Sequence, residues 1–216
     1  MKTQFHNLQK ITCIFASKTL KTFLAIIAIT AVSISCSKSD NPVQVQPQPT
    51  YEKEDFMAGF ISSAGFDTRI ADLDPTLTLY YGLVVKPNVT GTVSAFVLNA
   101  PKVMATGMVV TLWDAATSTA LAEIDFSIPI GNKKIVKELP QPINLVKDKE
   151  YVISFKATNR WFYEKLTNVV YPIVSGNITI LNNVRTNPLS TSAFPTVDLE
   201  NDSFTGDCSF IFTRTE

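Results

Sequence analysis

A run of three aromatic residues flanked by polar ones has the side chains that a sugar-binding site needs. Trp161 and Tyr163 carry flat rings of the kind that stack on the apolar face of a sugar, and Asn159 and Arg160 can hydrogen-bond to its hydroxyls. We therefore predict a ligand-binding site at Asn159, Arg160, Trp161 and Tyr163. The alternative is that these rings close the end of a hydrophobic core, as we expect of Trp113.

Oxygen-bearing side chains gather near the C-terminus, and oxygen is the ligand atom that Ca2+ prefers. They are Asp198, Glu200, Asn201 and Asp202, with Asp207 nearby. The stretch lacks the glycine and the ligand spacing of an EF-hand loop, and acidic surface loops are common. We therefore predict no cofactor, with Ca2+ at these residues as the alternative.

Catalysis has little support in the residue types. The single histidine, His6, lies in an N-terminal segment that we expect to be removed, which excludes Ser-His-Asp, Cys-His and histidine-ligated metal mechanisms from the mature chain. Glycoside hydrolysis needs only two carboxylates, but no motif brings two of them together. The prediction is that the protein is not an enzyme.

The N-terminal segment has the pattern of a secretory signal. An apolar run, residues 23–32, follows four lysines, and no acidic residue precedes position 36. A membrane-spanning helix needs roughly 18 to 20 apolar residues, so this run is too short for one. We predict that residues 1–35 are a cleaved signal peptide.

The signal ends in Ser33-Ile34-Ser35 and is followed by Cys36, and these four residues resemble the lipobox of bacterial lipoproteins. That family favours a leucine three residues before the cysteine, where this chain has Ser33. The resemblance implies that Cys36 is acylated and becomes the mature N-terminus, a durable membrane anchor because several acyl chains are attached. The alternative is an ordinary secretory signal with an incidental cysteine.

Lys38 and Asp40 lie directly behind that cysteine. They resemble the short charged export signals of Bacteroidetes-type lipoproteins, which implies an outer-membrane location on the cell surface. Attachment facing the periplasm is the alternative. The rest of segment 36–53 is rich in proline and polar residues, so we expect a semi-rigid linker with a reach of about 40 to 50 Å.

Charge and cysteine content limit the partners of the mature chain. Without the four signal lysines, 15 basic and 19 acidic residues give a net charge of −4. Nucleic-acid affinity depends on basic patches, so nucleic acid is excluded as a partner. Cys208 has no second cysteine to pair with once Cys13 is removed and Cys36 is acylated, so packing must stabilise the fold.

Residues 54–216 have the length of one domain and the pattern of a β protein. Apolar residues alternate with polar ones at period two, and turn residues recur every 8 to 15 positions. We predict an all-β fold, a two-sheet antiparallel β-sandwich of jelly-roll or immunoglobulin-like type. The predicted strands are 77–85, 92–98, 108–113, 120–126, 134–139, 151–157, 178–184 and 208–213.

Several strands allow a prediction of which face is buried. Leu77, Leu79, Tyr81, Leu83 and Val85 share one face of the first strand, and Val93, Ala95 and Val97 are expected to share one face of the second. Segment 54–74 contains four large apolar residues and fits either an edge strand of the sandwich or a separate flap.

A family resemblance rests on the order of these motifs. Residues 81–93, the hairpin 110–122 with Trp113, the strand start 145–152 and the late Phe194-Pro195-Thr196 resemble the domain of unknown function DUF4082. The resemblance covers about residues 75–213 and implies a β-sandwich module on a secreted or surface protein. It brings no catalytic residues with it.

Together these patterns predict a cell-envelope lipoprotein that presents a non-catalytic module. Its partners would be the membrane, through the lipid anchor, and a carbohydrate or another extracellular ligand. The alternative is a structural or adhesive protein that contacts other envelope proteins through exposed strand edges. A binding module should show an aromatic-lined groove around Trp161, whereas a structural protein should bury these rings and expose an apolar patch.

Overall fold

A computed structural model of the protein describes residues 49–66, 68–72, 78–100, 103–131, 133–157, 160–165, 167–199 and 201–216. Residues 48–216 form one compact unit. No helix within the described ranges has the length and apolar content needed to cross a membrane.

The described chain is built from strands and one short helix. In chain order the elements are β1 Glu54–Asp55, α1 Met57–Ala64, β2 Thr68–Asp72, β3 Leu79–Pro87, β4 Gly91–Ala100, β5 Met104–Asp114, β6 Thr119–Ile128, β7 Lys133–Leu145, β8 Tyr151–Ala157, β9 Arg160–Glu164, β10 Ile173–Ser175, β11 Ile178–Arg185, β12 Val197–Asp198, β13 Ser203–Thr205 and β14 Cys208–Arg214.

Two antiparallel sheets form the sandwich. One has the strand order β1-β14-β4-β7, and the other has the order β10-β11-β3-β8-β5-β6 with β12 paired to β11. Apolar side chains from both sheets meet in a single core. A third, smaller sheet has the strand order β13-β9-β2. The predicted all-β sandwich class is confirmed, and so is the presence of each of the eight predicted strands.

Period-two alternation positions most of the core as predicted. Tyr81, Leu83 and Val85 of β3 are buried in the core, as are Ile153 and Phe155 of the neighbouring β8. Each inward position is directly opposite an inward position on the paired strand, because β3 and β8 pair in antiparallel register without a shift. The alternation therefore places one face of each strand in the core and the other on the outside.

The predicted buried face of β4 is correct at Val93 and wrong for the residues after it. A register shift between Val93 and Ala95 marks a β-bulge against β7. The bulge reverses the alternation, so Phe96 and Leu98 enter the core while Ala95 and Val97 are buried on the opposite face. Sequence periodicity could not show this, because both sets of side chains are apolar.

The described part of segment 54–72 includes an edge strand of the sandwich, as one alternative predicted, and its Phe56, Phe60 and Phe66 lie in the core rather than in a separate flap. Strand β1 pairs with β14 at the edge of the first sheet, whereas β2 pairs with β9 in the small sheet. Helix α1 lies between them in the chain and packs Phe60 against the rings of Phe66 and Phe204. The helix ends at Gly65, which adopts a left-handed conformation (φ 75°) and donates its N–H to the Ile61 carbonyl.

The outer face of the larger sheet carries a second, smaller apolar cluster. Trp113 packs there with Val152 and Val184, and its indole N–H donates to the Ser154 hydroxyl (2.9 Å). Phe194 covers it with a ring contact at 5.7 Å. The loop between β11 and β12 is thereby held against this face, and Trp113 is buried as predicted.

Candidate functional site

The predicted aromatic platform at Trp161 is not on the surface. Trp161 is fully buried, with its ring 5.1 Å from that of Phe155, and Tyr163 stacks on Phe204 at 4.8 Å with nearly parallel planes. A buried ring presents no face to a ligand in solution. The prediction that Trp161 and Tyr163 stack on a sugar is therefore wrong, and the alternative that they close the core fits their positions.

Strand alternation is the physical reason for this outcome. The aromatic residues belong to β9, so Trp161 and Tyr163 point to one face and Phe162, which is half-buried, points to the other. Arg160 is the first residue of β9. Asn159 lies outside the described residues, as does the predicted lipidation site at Cys36.

Among the described residues, the acidic side chains proposed for Ca2+ do not assemble into one group. The Asp207 carboxylate is buried and accepts hydrogen bonds from Asn99 Nδ2 (2.8 Å) and the Tyr163 hydroxyl (3.0 Å). The described residues do not include Glu200. They contain no group of three histidine, cysteine, aspartate or glutamate side chains that could hold a metal ion. Asp198 and Asn201, by contrast, lie together in a surface cleft.

This cleft, called here the Tyr171 cleft, has a volume of about 490 Å³. Its polar lining residues are Asn168, Asn182, Asp198 and Asn201, and its apolar lining residues include Val170, Tyr171, Leu181 and Leu199. A mixed lining of one aromatic ring, several amides and a carboxylate is typical of a site for a hydroxylated ligand.

Three separate segments build the cleft. One wall comes from β11, where a register shift between Ile180 and Asn182 inserts Leu181 as an extra residue. A second wall is the chain after β12, which is held to β11 by a hydrogen bond from the Leu199 N–H to the Asn183 carbonyl (3.1 Å). The third is the segment before β10, where the Val169 N–H donates to the Asn201 carbonyl (2.6 Å).

Tyr171 is held in place by the core beneath it. Its half-buried ring stacks on Phe60 at a centroid distance of 6.4 Å. Burial raises the pKa of Tyr171 to about 12, which outweighs the lowering by the neighbouring Asn183 side chain. The phenol oxygen itself is buried, so it is not presented to a ligand in the cleft.

The polar groups of the cleft are partly pre-oriented. Asn182 Nδ2 donates to Asp198 Oδ1 (2.7 Å), and Asn182 Oδ1 accepts from the Asn183 N–H (2.8 Å). Asp198, Asn168 and Asn201 are exposed and line the cleft. Carboxylate oxygens accept hydrogen bonds and amides both donate and accept them, which suits vicinal hydroxyl groups.

Sequence reasoning missed most of this site. Asp198 and Asn201 had been singled out as oxygen ligands, but Asn168, Tyr171 and Asn182 had not. Little in the sequence marks these residues as part of a site. Asn182 lies within a predicted strand, and Tyr171 is a single aromatic residue next to Pro172. The pairing of β11 with β12 and the hydrogen bond between Val169 and Asn201 bring these residues together.

Comparison with known proteins adds no family to these observations. No family model matches the chain, and no curated protein is similar to it at a significant level. The resemblance to DUF4082 therefore stays a prediction.

Proposed function

We propose that this protein is a lipid-anchored envelope protein whose β-sandwich binds carbohydrate through the Tyr171 cleft. The cleft itself is the observation that supports this proposal, because it combines a half-buried tyrosine ring with three asparagine amides and one carboxylate. The signal segment and Cys36 support the anchor, and the proline-rich linker would hold the sandwich away from the lipid.

The cleft favours binding over catalysis. A glycosidase needs two carboxyl groups on opposite sides of the scissile bond. Asp198 is the single carboxylate among the described lining residues, and its Oδ1 is already engaged by Asn182. In our proposal Asp198 accepts a hydrogen bond from a sugar hydroxyl and the amides bind its neighbours.

Two observations favour a second function, contact with other envelope proteins. The rings at Trp161 are buried, and apolar side chains are exposed at the edge of the larger sheet. Val170 is 83 % exposed and Val174, on the outermost strand β10, is 59 % exposed. An unpaired strand edge of this kind can pair with an added strand.

Binding of the full-length protein in detergent to an array of neutral polysaccharides tests the proposal. Asn168 is exposed and forms no hydrogen bond among the described residues, so Asn168→Ala should leave the fold intact and weaken binding about threefold to tenfold. Tyr171→Ala should weaken it further by removing the ring. Asn144→Ala, an exposed asparagine on β7, is the matched control and should change nothing.

Equal binding by the Asn168→Ala and Asn144→Ala proteins would show that the Tyr171 cleft is not the site. If the folded wild-type protein binds none of the neutral polysaccharides, the second function is favoured. In that case Val174→Asp should abolish crosslinking to envelope proteins.

A further inference from the structure

A second cleft of about 250 Å³ lies on the outer face of the larger sheet. Its floor is formed by Tyr80 of β3 and Lys156 of β8, which are directly opposite each other in the antiparallel pair. Its wall is the loop 186–193, which begins after β11 and contributes hydroxyl and amide groups. We call it the Lys156 cleft.

The loop is fixed at both ends, so the cleft is preformed. At its start Thr186 and Tyr80 exchange two hydrogen bonds, from the Tyr80 N–H to the Thr186 hydroxyl (3.1 Å) and from the Thr186 N–H to the Tyr80 carbonyl (2.9 Å). At its end Phe194 packs on Trp113. A preformed site avoids the entropic cost of ordering a loop on binding.

The wall of the Lys156 cleft offers hydrogen-bond donors. The Ser190 hydroxyl accepts from the Ser192 N–H (3.0 Å), and the Ser192 hydroxyl accepts from the Phe194 N–H (3.2 Å). Asn187 Oδ1 accepts from the Leu189 N–H (2.9 Å). Each of these side-chain oxygens already accepts a hydrogen bond from the loop backbone. The hydroxyl hydrogens of Ser190 and Ser192 and the Nδ2 amide group of Asn187 remain available as donors.

The charge of the cleft is positive. Lys156 Nζ lies 5.8 Å above the centroid of the Tyr80 ring and forms no ion pair among the described residues. Lys134 and Lys149, by contrast, are paired with Asp55 and Asp114. The described lining of the Lys156 cleft contains no aspartate or glutamate. An ammonium group in a cleft that also holds hydrogen-bond donors favours an anion.

We propose that the Lys156 cleft binds the acidic group of a charged glycan, a carboxylate or a sulfate, with Lys156 as its counter-ion and the loop donors on the adjacent hydroxyls. This site is separate from the Tyr171 cleft and does not depend on the function proposed for it. The two differ in charge, since the Tyr171 cleft has Asp198 and no cation among its described lining residues. The Tyr171 cleft therefore disfavours acidic sugars, and the Lys156 cleft selects them.

Calorimetric titration of the full-length protein in detergent tests this inference. The probes are a galacturonate oligomer, its methyl ester as an uncharged equivalent, and a sulfated galactan oligomer, which separates carboxylate from sulfate. We expect at least one acidic probe to bind, with an affinity that falls as salt is added because screening weakens the attraction to Lys156. The methyl ester should bind at least about tenfold more weakly than the galacturonate oligomer if carboxylate is the ligand.

Variants at one position connect the binding to the cleft. Lys156→Gln should weaken binding of the acidic probe about tenfold or more, and Lys156→Arg should restore it because the charge returns. Lys133→Gln, at an exposed lysine on the other sheet, is the matched control and should bind as the wild type does.

Either of two results would overturn the inference. One is a folded wild-type protein that binds neither acidic probe, and the other is an affinity that Lys156→Gln and Lys133→Gln change equally. Binding of neutral polysaccharides, measured in parallel, should be the same in the wild-type and Lys156→Gln proteins, which separates this test from that of the Tyr171 cleft.

Discussion

Trp161 and Tyr171 lie ten positions apart, and the sandwich uses their rings in opposite ways. Trp161 is enclosed by the core on β9, and its backbone carbonyl accepts from the Gly206 N–H (2.7 Å). Tyr171 stacks on Phe60 of the core and also lines a cleft, and its hydroxyl oxygen is buried. The role of an aromatic residue here follows from its position relative to the sheet, since the ring chemistry is nearly the same in both.

Replacing Trp161 by alanine should therefore reduce stability rather than remove a binding contact. A fully buried aromatic truncated to alanine leaves a cavity and loses about 3 to 5 kcal/mol of unfolding free energy. Urea unfolding followed by circular dichroism measures this loss. Leu189→Ala, at a side chain that is 94 % exposed, is the control and should change stability by less than about 0.5 kcal/mol. A Trp161→Ala protein of wild-type stability that binds no sugar would restore Trp161 as the binding platform.

At the scale of elements, bulges and turns decide which side chains meet. The bulge in β4 moves Phe96 into the core, and the extra residue in β11 opens the Tyr171 cleft. The hairpin between β5 and β6 depends on Asp114, whose Oδ1 accepts from the backbone N–H groups of Ala116 and Thr117. Its Oδ2 forms an ion pair with Lys149 (2.6 Å), which joins the hairpin to the turn before β8.

The Asp114 pair predicts a specific acid dependence. The hydrogen bond from Lys149 is the largest of the interactions that hold the pKa of Asp114 below its usual value of 3.8. A carboxylate whose pKa is lower in the folded state stabilises the fold above the unfolded value and loses that contribution as pH falls through the folded value. The wild type should therefore lose its small advantage over Asp114→Asn as the pH drops below 3.8.

Thermal unfolding of both proteins between pH 7 and pH 2 measures this difference. Glu123→Gln, at an exposed carboxylate on β6, serves as the control for the general effect of removing one acidic group. A stability difference between the wild type and Asp114→Asn that is the same at both ends of the range would contradict the proposed role of the ion pair.

At the scale of the whole molecule, two of the clefts among the described residues are of opposite character. The Tyr171 cleft is lined by amides and a carboxylate, and the Lys156 cleft by a lysine and hydroxyl donors. A surface protein with both would hold a glycan that mixes neutral and acidic sugars at two points, and simultaneous binding raises the overall affinity above that of either cleft.

The predicted anchor has a direct test at Cys36. Cys36→Ser should move the protein from the detergent phase to the aqueous phase on phase partitioning and abolish labelling with palmitate, because the acyl chains supply the membrane affinity. Cys13→Ser, within the predicted signal, should leave both properties unchanged. Retention of the Cys36→Ser protein in the detergent phase would show that another segment holds it to the membrane.

How much of this protein follows from its sequence depends on how local the cause is. Alternation along one strand is local, so Tyr81, Leu83 and Val85, and likewise Ile153 and Phe155, could be assigned to the core from periodicity alone. The turn residues that separate the strands are local as well. The fold class and the eight main strands could therefore be predicted without the structure.

The candidate sites depended on pairings between distant parts of the chain. Strand β9 pairs with β2, about ninety residues earlier, and its Tyr163 stacks on Phe204, about forty residues later. The pairing of β11 with β12 brings Asn182 to Asp198. Register and bulges arise when two strands meet, so a period-two pattern cannot contain them. The sequence by itself determined the all-β sandwich class, and it predicts a secretory signal before that domain. Only the tertiary structure decided which rings are buried, which amides and carboxylate line the Tyr171 cleft, and that Lys156 lines the other. These outcomes depend on contacts between residues far apart in the chain.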